Sequence, residues 1–221
     1  MPLSPGICGV VLAAGASSRM GRDKALLPWP PVAKDTPAAN TFLGALIDLL
    51  EAYSDLVIVV AGRNAPAIAP IVYAHAGFLT INPEPERGQF SSLQAGLQQV
   101  LTQGRDAALV ALVDRPPVLP KTMSLLTEAF RSATGNIWAV VPEAKRGEHV
   151  FHGHPILIGR EMMEAFLSAP ASSTARDVEH AYQRHICYVS VDDPYVGLNI
   201  DTPEDYARLA HAGEISSEKQ F

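Results

Sequence analysis

The chain has 221 residues, 48% hydrophobic and 18% charged, with a formal net charge of -6 at pH 7, which supports one substantial core in a single domain over residues 1–221. That acidic balance argues against a sequence-independent grip on nucleic acid, which needs a surplus of Lys and Arg over the contact face. Cys8 and Cys187 make no Cys-x-x-Cys pair for zinc, redox or iron–sulfur chemistry, and the first apolar run breaks at Gly15 before it reaches membrane-spanning length, so the expectation is a soluble, cytoplasmic protein with no membrane partner.

Short apolar runs at Ile7 to Ala13, Leu56 to Ala61, Ala107 to Val113 and Ile137 to Val141 read as buried strands. Between them, Phe42 to Tyr53 and Ser91 to Leu101 carry helical spacing. Continuous apolar strands alternating with amphipathic helices predict a mostly parallel sheet covered on both faces, an open three-layer α/β/α sandwich. In such sheets ligands bind beyond the carboxyl ends of the strands, which directs attention to Gly15 to Lys24, Gly62-Arg63-Asn64, Asn82 onward and Asp114. Trp29 to Ala39, rich in Pro and Ala, reads as a surface excursion, and the histidine-rich stretch from Glu143 to His154 as a loop over the site. Ile186 to Val191 predicts a late strand, Asp201-Thr-Pro-Glu-Asp205 a helix start, and the polar end from Ser216 a frayed tail.

The loop Gly15-Ala-Ser17-Ser-Arg19-Met-Gly21-Arg-Asp-Lys24 follows the first strand directly. Small residues allow backbone amides to approach phosphate oxygens, and Arg19 and Lys24 supply charge. It is neither a Walker A loop nor a dinucleotide fingerprint, since no Gly-Lys-Ser/Thr ending or Gly-x-Gly-x-x-Gly is present there. A plain strand-to-helix turn with exposed cations is the alternative. Asp114, at the end of a strong strand, suits either a Mg²⁺ ligand or a turn cap. Asp201 is a second candidate carboxylate or a helix N-cap with Glu204 as its capping partner. The segment from Asn82 through Gly88 to Ser91-Ser92-Leu93 has hydroxyls and amides to hold a ribose, base edge or phosphate, although Ser91 equally suits a plain cap. His149, His152 and His154 stand close together, yet no helical ligand spacing or Cys partner favours zinc over a substrate-facing loop.

Taken together, Leu12-Ala-Ala-Gly15-x-Ser17-x-Arg19-Met-Gly21-x-x-Lys24, Asn82 with Gly88 and Ser92-Leu93, Asp114, Gly153-His154-Pro155 and Asp201-Thr-Pro-Glu-Asp205 resemble one family in its own order. The chain resembles the MobA-like nucleotidyltransferases, related to molybdenum cofactor cytidylyltransferase and molybdopterin-guanine dinucleotide synthase. The resemblance implies a Rossmann-like fold of the glycosyltransferase-A type, an NTP donor, Mg²⁺ as cofactor and release of pyrophosphate. It implies a donor half over about residues 1–115 and an acceptor half over about 116–210. Nucleotide binding would fall to Leu12, Ala13, Ala14, Gly15, Ser17, Gly21, Asn82, Gly88 and Ser92. Arg19, Lys24 and Asp114 would be catalytic, Asp114 and Asp201 would hold the metal, and His154 with Pro155 would meet the acceptor. The Ala-Ala-Gly form is that of the cytidylyl members, while guanylyl members tend to carry Ala-Gly-Gly or Gly-Gly, which favours CTP.

Three departures stand out. Relatives commonly read Gly-Asp-Met/Gln-Pro where this chain has Val113-Asp114-Arg115-Pro116, and Gly-Asp-x-Gly-Ala-Arg where it has Ser172-Ser-Thr-Ala-Arg176-Asp177; the excursion after Trp29 is also longer than the usual turn. The implied reaction is attack by an acceptor phosphate, most simply that of molybdopterin, on the α-phosphorus of the NTP, with a molybdoenzyme as a downstream partner. A sugar- or polyol-phosphate nucleotidyltransferase, or a non-catalytic nucleotide-binding accessory protein, are the competing readings. Pyrophosphate release against a panel of acceptors separates them.

Overall fold

The structure, a computed structural model, describes residues 6–31 and 40–209. Of the expected excursion from Trp29 to Ala39, residues 32–39 lie outside these residues, as does the expected frayed tail. The first half contains β1 (Ile7–Leu12), β2 (Pro28–Trp29), β3 (Asn40–Thr41), α1 (Phe42–Glu51), β4 (Leu56–Ala61), α2 (Ala65–Ala74), β5 (Phe78–Ile81), α3 (Gln89–Thr102) and β6 (Ala107–Leu112). There follow α4 (Pro120–Ser132), β7 (Ala139–Arg146), β8 (His149–His152), β9 (Ile156–Gly159), α5 (Arg160–Ser168), α6 (Ala175–Ala181) and β10 (Ile186–Ser190). Residues 203–209 form a last helix.

Eight strands make one sheet in the order β10-β7-β9-β6-β1-β4-β5, with β8 paired to β7 outside that path. All six residues of β1 are buried, so it occupies the middle, parallel to β4 on one side and β6 on the other. The period of two along a strand sends its side chains into different layers. Ile7 and Val11 pack with α1, α2 and α4, through Leu43, Ile47, Ile68, Val72, Met123 and Leu126. Cys8, Val10 and Leu12 pack with α3, α5 and α6, through Leu93, Leu97, Val100, Met162, Phe166 and Val178. These two cores are the outer interfaces of the α/β/α sandwich. β9 is the strand that runs against its neighbours β6 and β7.

A third, smaller cluster matters more for the site. Met20, Leu27, Phe42, Ile200, Tyr206 and Leu209 pack together, which brings the loop after β1 and the last helix side by side. The Tyr206 hydroxyl donates to the Pro28 carbonyl at 2.8 Å, and its ring lies 5.6 Å beneath the Arg22 guanidinium.

One expectation is corrected. The polar stretch from Glu143 to His154 is no loop, because β7 continues to Arg146 and returns as β8 in a hairpin. Its side chains are mostly exposed beyond the core, so the hairpin lacks the apolar run that marked the other strands.

Asp193 is a buried carboxylate, 3% exposed, on the segment after β10. It accepts from the Leu119 amide at 2.8 Å, the Thr122 hydroxyl at 2.7 Å and the Tyr195 amide at 2.9 Å, tying that segment to the amino end of α4. Asp193→Ala leaves buried donors without an acceptor and is expected to cost about 3 kcal/mol of stability. Urea unfolding with an unchanged slope checks it.

Candidate active site

Where β1 ends, the backbone of Ala13 is gripped from the neighbouring strand. Its amide donates to the Val60 carbonyl at 2.9 Å, and its own carbonyl accepts from the Asn64 side chain at 2.9 Å. Asn64 also donates to Asp23 at 2.7 Å and accepts from the Gly62 amide at 3.1 Å. One amide thereby joins both ends of the Gly15–Lys24 loop to the strand beside it. Within the loop, Ser17 and Gly21 take positive φ, 48° and 71°, the conformation that lets a short chain double back. The Ser17 hydroxyl accepts from the Lys24 amide at 3.1 Å, and Asp23 caps the single 3-10 turn Lys24–Leu26 by accepting from the Ala25 amide at 3.0 Å. A methyl added at Gly15 would meet no atom within 4 Å, so open space lies against this backbone.

Lys24, 8% exposed, is held by the far end of the chain. Its ammonium lies 2.7 Å from Asp201 Oδ1 and 3.9 Å from Asp114 Oδ2, while Arg19 reaches the same Asp201 oxygen at 3.1 Å. The hydrogen bond from Lys24, aided by the Lys24 and Arg19 charges and opposed by partial burial, holds the Asp201 carboxyl below its ordinary range. Asp114 and Asp201 are locked together through the backbone as well, since the Ile200 amide donates to the Asp114 carbonyl at 2.8 Å. Asp114 Oδ1 is buried without a hydrogen-bond partner.

Capping of the last helix falls one residue later than the sequence suggested. Asp205 accepts from the Thr202 amide at 2.9 Å and the Asp201 amide at 3.0 Å, and the Thr202 hydroxyl accepts from the Asp205 amide at 3.3 Å. Thr202 and Asp205 form the reciprocal cap, which leaves the Asp201 side chain to face Lys24.

These elements surround a cavity of about 930 Å³ whose wall includes Leu12, Ala14, Gly15, Ser17, Gly21, Lys24, Gly88, Ser92 and Asp114. Nine residues singled out in the sequence are thus brought together. Arg63 and Glu86 face the same space from the loops after β4 and β5. Gly88, at φ 90°, turns the chain so that α3 begins at the cavity wall. Ala13 and Asn82 are buried beside the cavity and serve as supports. The Asn82 side chain donates to the Ser91 and Ser92 hydroxyls at 2.8 and 3.0 Å and accepts from the Glu84 amide at 2.9 Å, fixing the loop that leads into α3. Sequence inspection directed attention to Asn64 by its position after a strand, but the chemistry of its amide appears only when Ala13, Gly62 and Asp23 are seen around it.

His154 and Pro155 do not line the large cavity. With Arg115, Leu46, Val118 and others they border a separate cleft of about 10 Å³. His154 Nδ1 and Arg115 Nε are both buried without partners. Burial, reinforced by the Arg115 charge, pushes the His154 pKa down from 6.5 to about 3, so this imidazole is neutral at working pH. Because the folded value lies below the unfolded one, its share of stability is complete above about pH 6.5 and is lost as pH falls toward 3. His154→Leu is expected to flatten the stability profile between pH 6.5 and 4, measured by urea unfolding at each pH; an unaltered profile contradicts it.

The chain is similar to known proteins both in sequence and in fold. The MobA-like NTP transferase domain family matches residues 9–186. Among curated relatives, a molybdenum cofactor guanylyltransferase from Xanthomonas euvesicatoria is 31% identical over 92% of this chain and 94% of its own. A nicotine blue oxidoreductase from Paenarthrobacter nicotinovorans is 29% identical over 93% and 97%. The Escherichia coli molybdenum cofactor cytidylyltransferase is 25% identical over 89% and 92%. Among solved structures, Rv0371c from Mycobacterium tuberculosis superposes with a TM-score of 0.74 at 28% identity, covering 94% of this chain and 98% of that one. The same protein is also known as a complex with manganese, with a TM-score of 0.68 at 25% identity and coverage of 94% and 99%.

Proposed function

The chain belongs to the MobA-like NTP transferase domain family, and on that premise we propose that it moves a nucleoside monophosphate from CTP to the phosphate of molybdopterin or the molybdenum cofactor. Pyrophosphate leaves, and the product passes to a molybdoenzyme. The observation that carries this reading is the Lys24 junction at the edge of the 930 Å³ cavity, where two cations suited to a triphosphate meet two carboxylates suited to a metal.

Among the described residues no group of three or more His, Cys, Asp or Glu side chains is placed to hold a metal. Two hard carboxylates, one of them with the unpartnered oxygen Asp114 Oδ1, fit Mg²⁺, which characteristically takes one or two carboxylates and completes its shell with substrate phosphates and water. Held by Asp114 and Asp201, the ion would supply charge neutralisation at the phosphate oxygens.

An acceptor phosphate oxygen attacks the α-phosphorus, the new anhydride bond forms as the bond to the bridging β oxygen breaks, and the electron pair departs on pyrophosphate. A phosphate acceptor is already anionic at neutral pH, so no general base is needed. Positioning and charge neutralisation therefore carry the catalysis. Lys24 and Arg19 transfer their pairing from Asp201 to phosphate oxygens of the donor. The backbone from Leu12 to Gly15 borders the base and sugar, with Ser17, Gly21, Gly88 and Ser92 along the cavity wall and Asn82 behind them. Ala14 lines that wall, and the Ala-Ala-Gly form it belongs to, which resembles that of the cytidylyl members, supports CTP as the donor. His154 and Pro155 shape the acceptor side through Arg115, whose charge suits an anionic acceptor.

Three outcomes test the reading. Pyrophosphate release with molybdopterin should be faster with CTP than with GTP or ATP, and sugar phosphates should not replace the acceptor; equal rates with GTP overturn the choice of base. Lys24→Ala and Asp114→Ala should each lose about 3 kcal/mol of transition-state stabilisation, roughly a hundredfold in rate. Asp201→Asn releases Lys24 and Arg19, so calorimetric titration without divalent metal should show tighter CTP binding than the parent chain, alongside a weaker response to added Mg²⁺.

A further inference from the structure

Residues 193–201 cross the carboxyl edge of the sheet outside helix and strand, and their far end sets Asp201 on Lys24. An irregular segment holds a charged side chain in place only if its backbone is anchored. Asp193 secures the start, as described above. The Ile200 amide secures the end by donating to the Asp114 carbonyl at 2.8 Å. In the middle the Arg115 side chain makes one long contact, 3.5 Å, to the Leu198 carbonyl.

The side chain of Val196 is buried in the core, and the hydrogen bonds that hold the backbone around it come from Arg146, at the turn of the β7–β8 hairpin. One nitrogen of its guanidinium, Nη2, donates to the Pro194 carbonyl at 2.6 Å and to the Val196 carbonyl at 3.0 Å. Phe151, on the other arm of the hairpin, lies beneath the guanidinium at 5.3 Å and fixes its plane. Two glycines let the hairpin and the segment touch. A methyl at Gly197, which has φ 82°, would stand 2.8 Å from Phe151 Cβ, and one at Gly153 would stand 2.8 Å from Val196 Cγ1.

We propose that Arg146 is a positioning residue for Asp201: by bridging the Pro194 and Val196 carbonyls it holds the segment that delivers this carboxylate to Lys24 and Asp114. Both bonds leave one nitrogen, Nη2, whose two hydrogens lie in the guanidinium plane that Phe151 fixes, whereas an ammonium is a point charge on a flexible stem with no plane to hold. Arg146 is itself exposed, so removing its head opens no core cavity, and the effect falls on the segment. The link joins the hairpin of the acceptor half to a charge in the donor site. Its consequence for metal rests on the proposed role of Asp201.

The test compares the parent chain with Arg146→Met, which keeps an apolar stem over Phe151, and Arg146→Lys, which keeps charge without the planar group. Amide hydrogen exchange over residues 194–201 should speed up about tenfold in Arg146→Met, with little change elsewhere and little change in Tm. Mn²⁺ binding, followed by electron paramagnetic resonance with the metal alone, should weaken about tenfold, the size usual for loss of a ligand-orienting contact, and Arg146→Lys should recover little of it. Unaltered exchange over 194–201 in both variants overturns the proposal, as does a uniform loss of protection across the protein. If the parent chain binds no Mn²⁺, the metal reading fails, and the exchange measurement still decides whether Arg146 holds the segment.

Discussion

One ammonium group, that of Lys24, joins the beginning of the chain to its end. It is almost entirely buried and sits between Asp201, 177 residues away, and Asp114 at the tip of a central strand. A buried cation is tolerable only when carboxylates compensate it, so the loop after β1, the tip of β6 and the segment before the last helix are obliged to converge. The small apolar cluster of Met20, Leu27, Phe42, Ile200 and Tyr206 makes the same junction from the other side, by excluding water where those three pieces meet. Without that convergence the cavity lacks its charged edge.

The supports of the site share a design. Asn64 serves the first loop and Asn82 serves the loop into α3; each is a side-chain amide whose donors and acceptor are all engaged by neighbouring residues. A satisfied amide orients backbone without adding charge. Charge is concentrated at Arg19, Lys24, Asp114 and Asp201, where the chemistry of a nucleotidyltransferase requires it. The central sheet supplies rigidity: β1, β4 and β6 are almost wholly buried, so the loops at their carboxyl ends start from fixed points.

The part of the chain after β6 is built differently. Its strands reach past the core as a polar hairpin, and its contacts with the rest of the site run through exposed arginine and close-packed glycine. Arg115, a departure from the Met or Gln commoner after this Asp, faces a small cleft with neutral His154 and adds a cation beside Asp114. The two parts of the chain thus rest on unlike physical supports, a packed sheet in one and polar straps in the other.

Much of the cavity's lining was legible from residues alone. Apolar runs of strand length, the glycine-rich loop behind the first of them and an Asp at the end of another are local patterns, set by burial and backbone freedom within a few residues, and they led to Leu12, Gly15, Ser17, Lys24 and Asp114 in one cavity. The hairpin was missed because its strands carry no apolar face, and the cap of the last helix was displaced by one residue because Asp201 and Thr202 are both good caps by type. Only the tertiary structure decided which of them turned inward. It also decided that Asn64 would brace the first loop, that His154 would be buried away from the cavity, and that Arg146 would reach across to the segment bearing Asp201. These are contacts between residues tens of positions apart, made by orientation and burial that no local periodicity encodes.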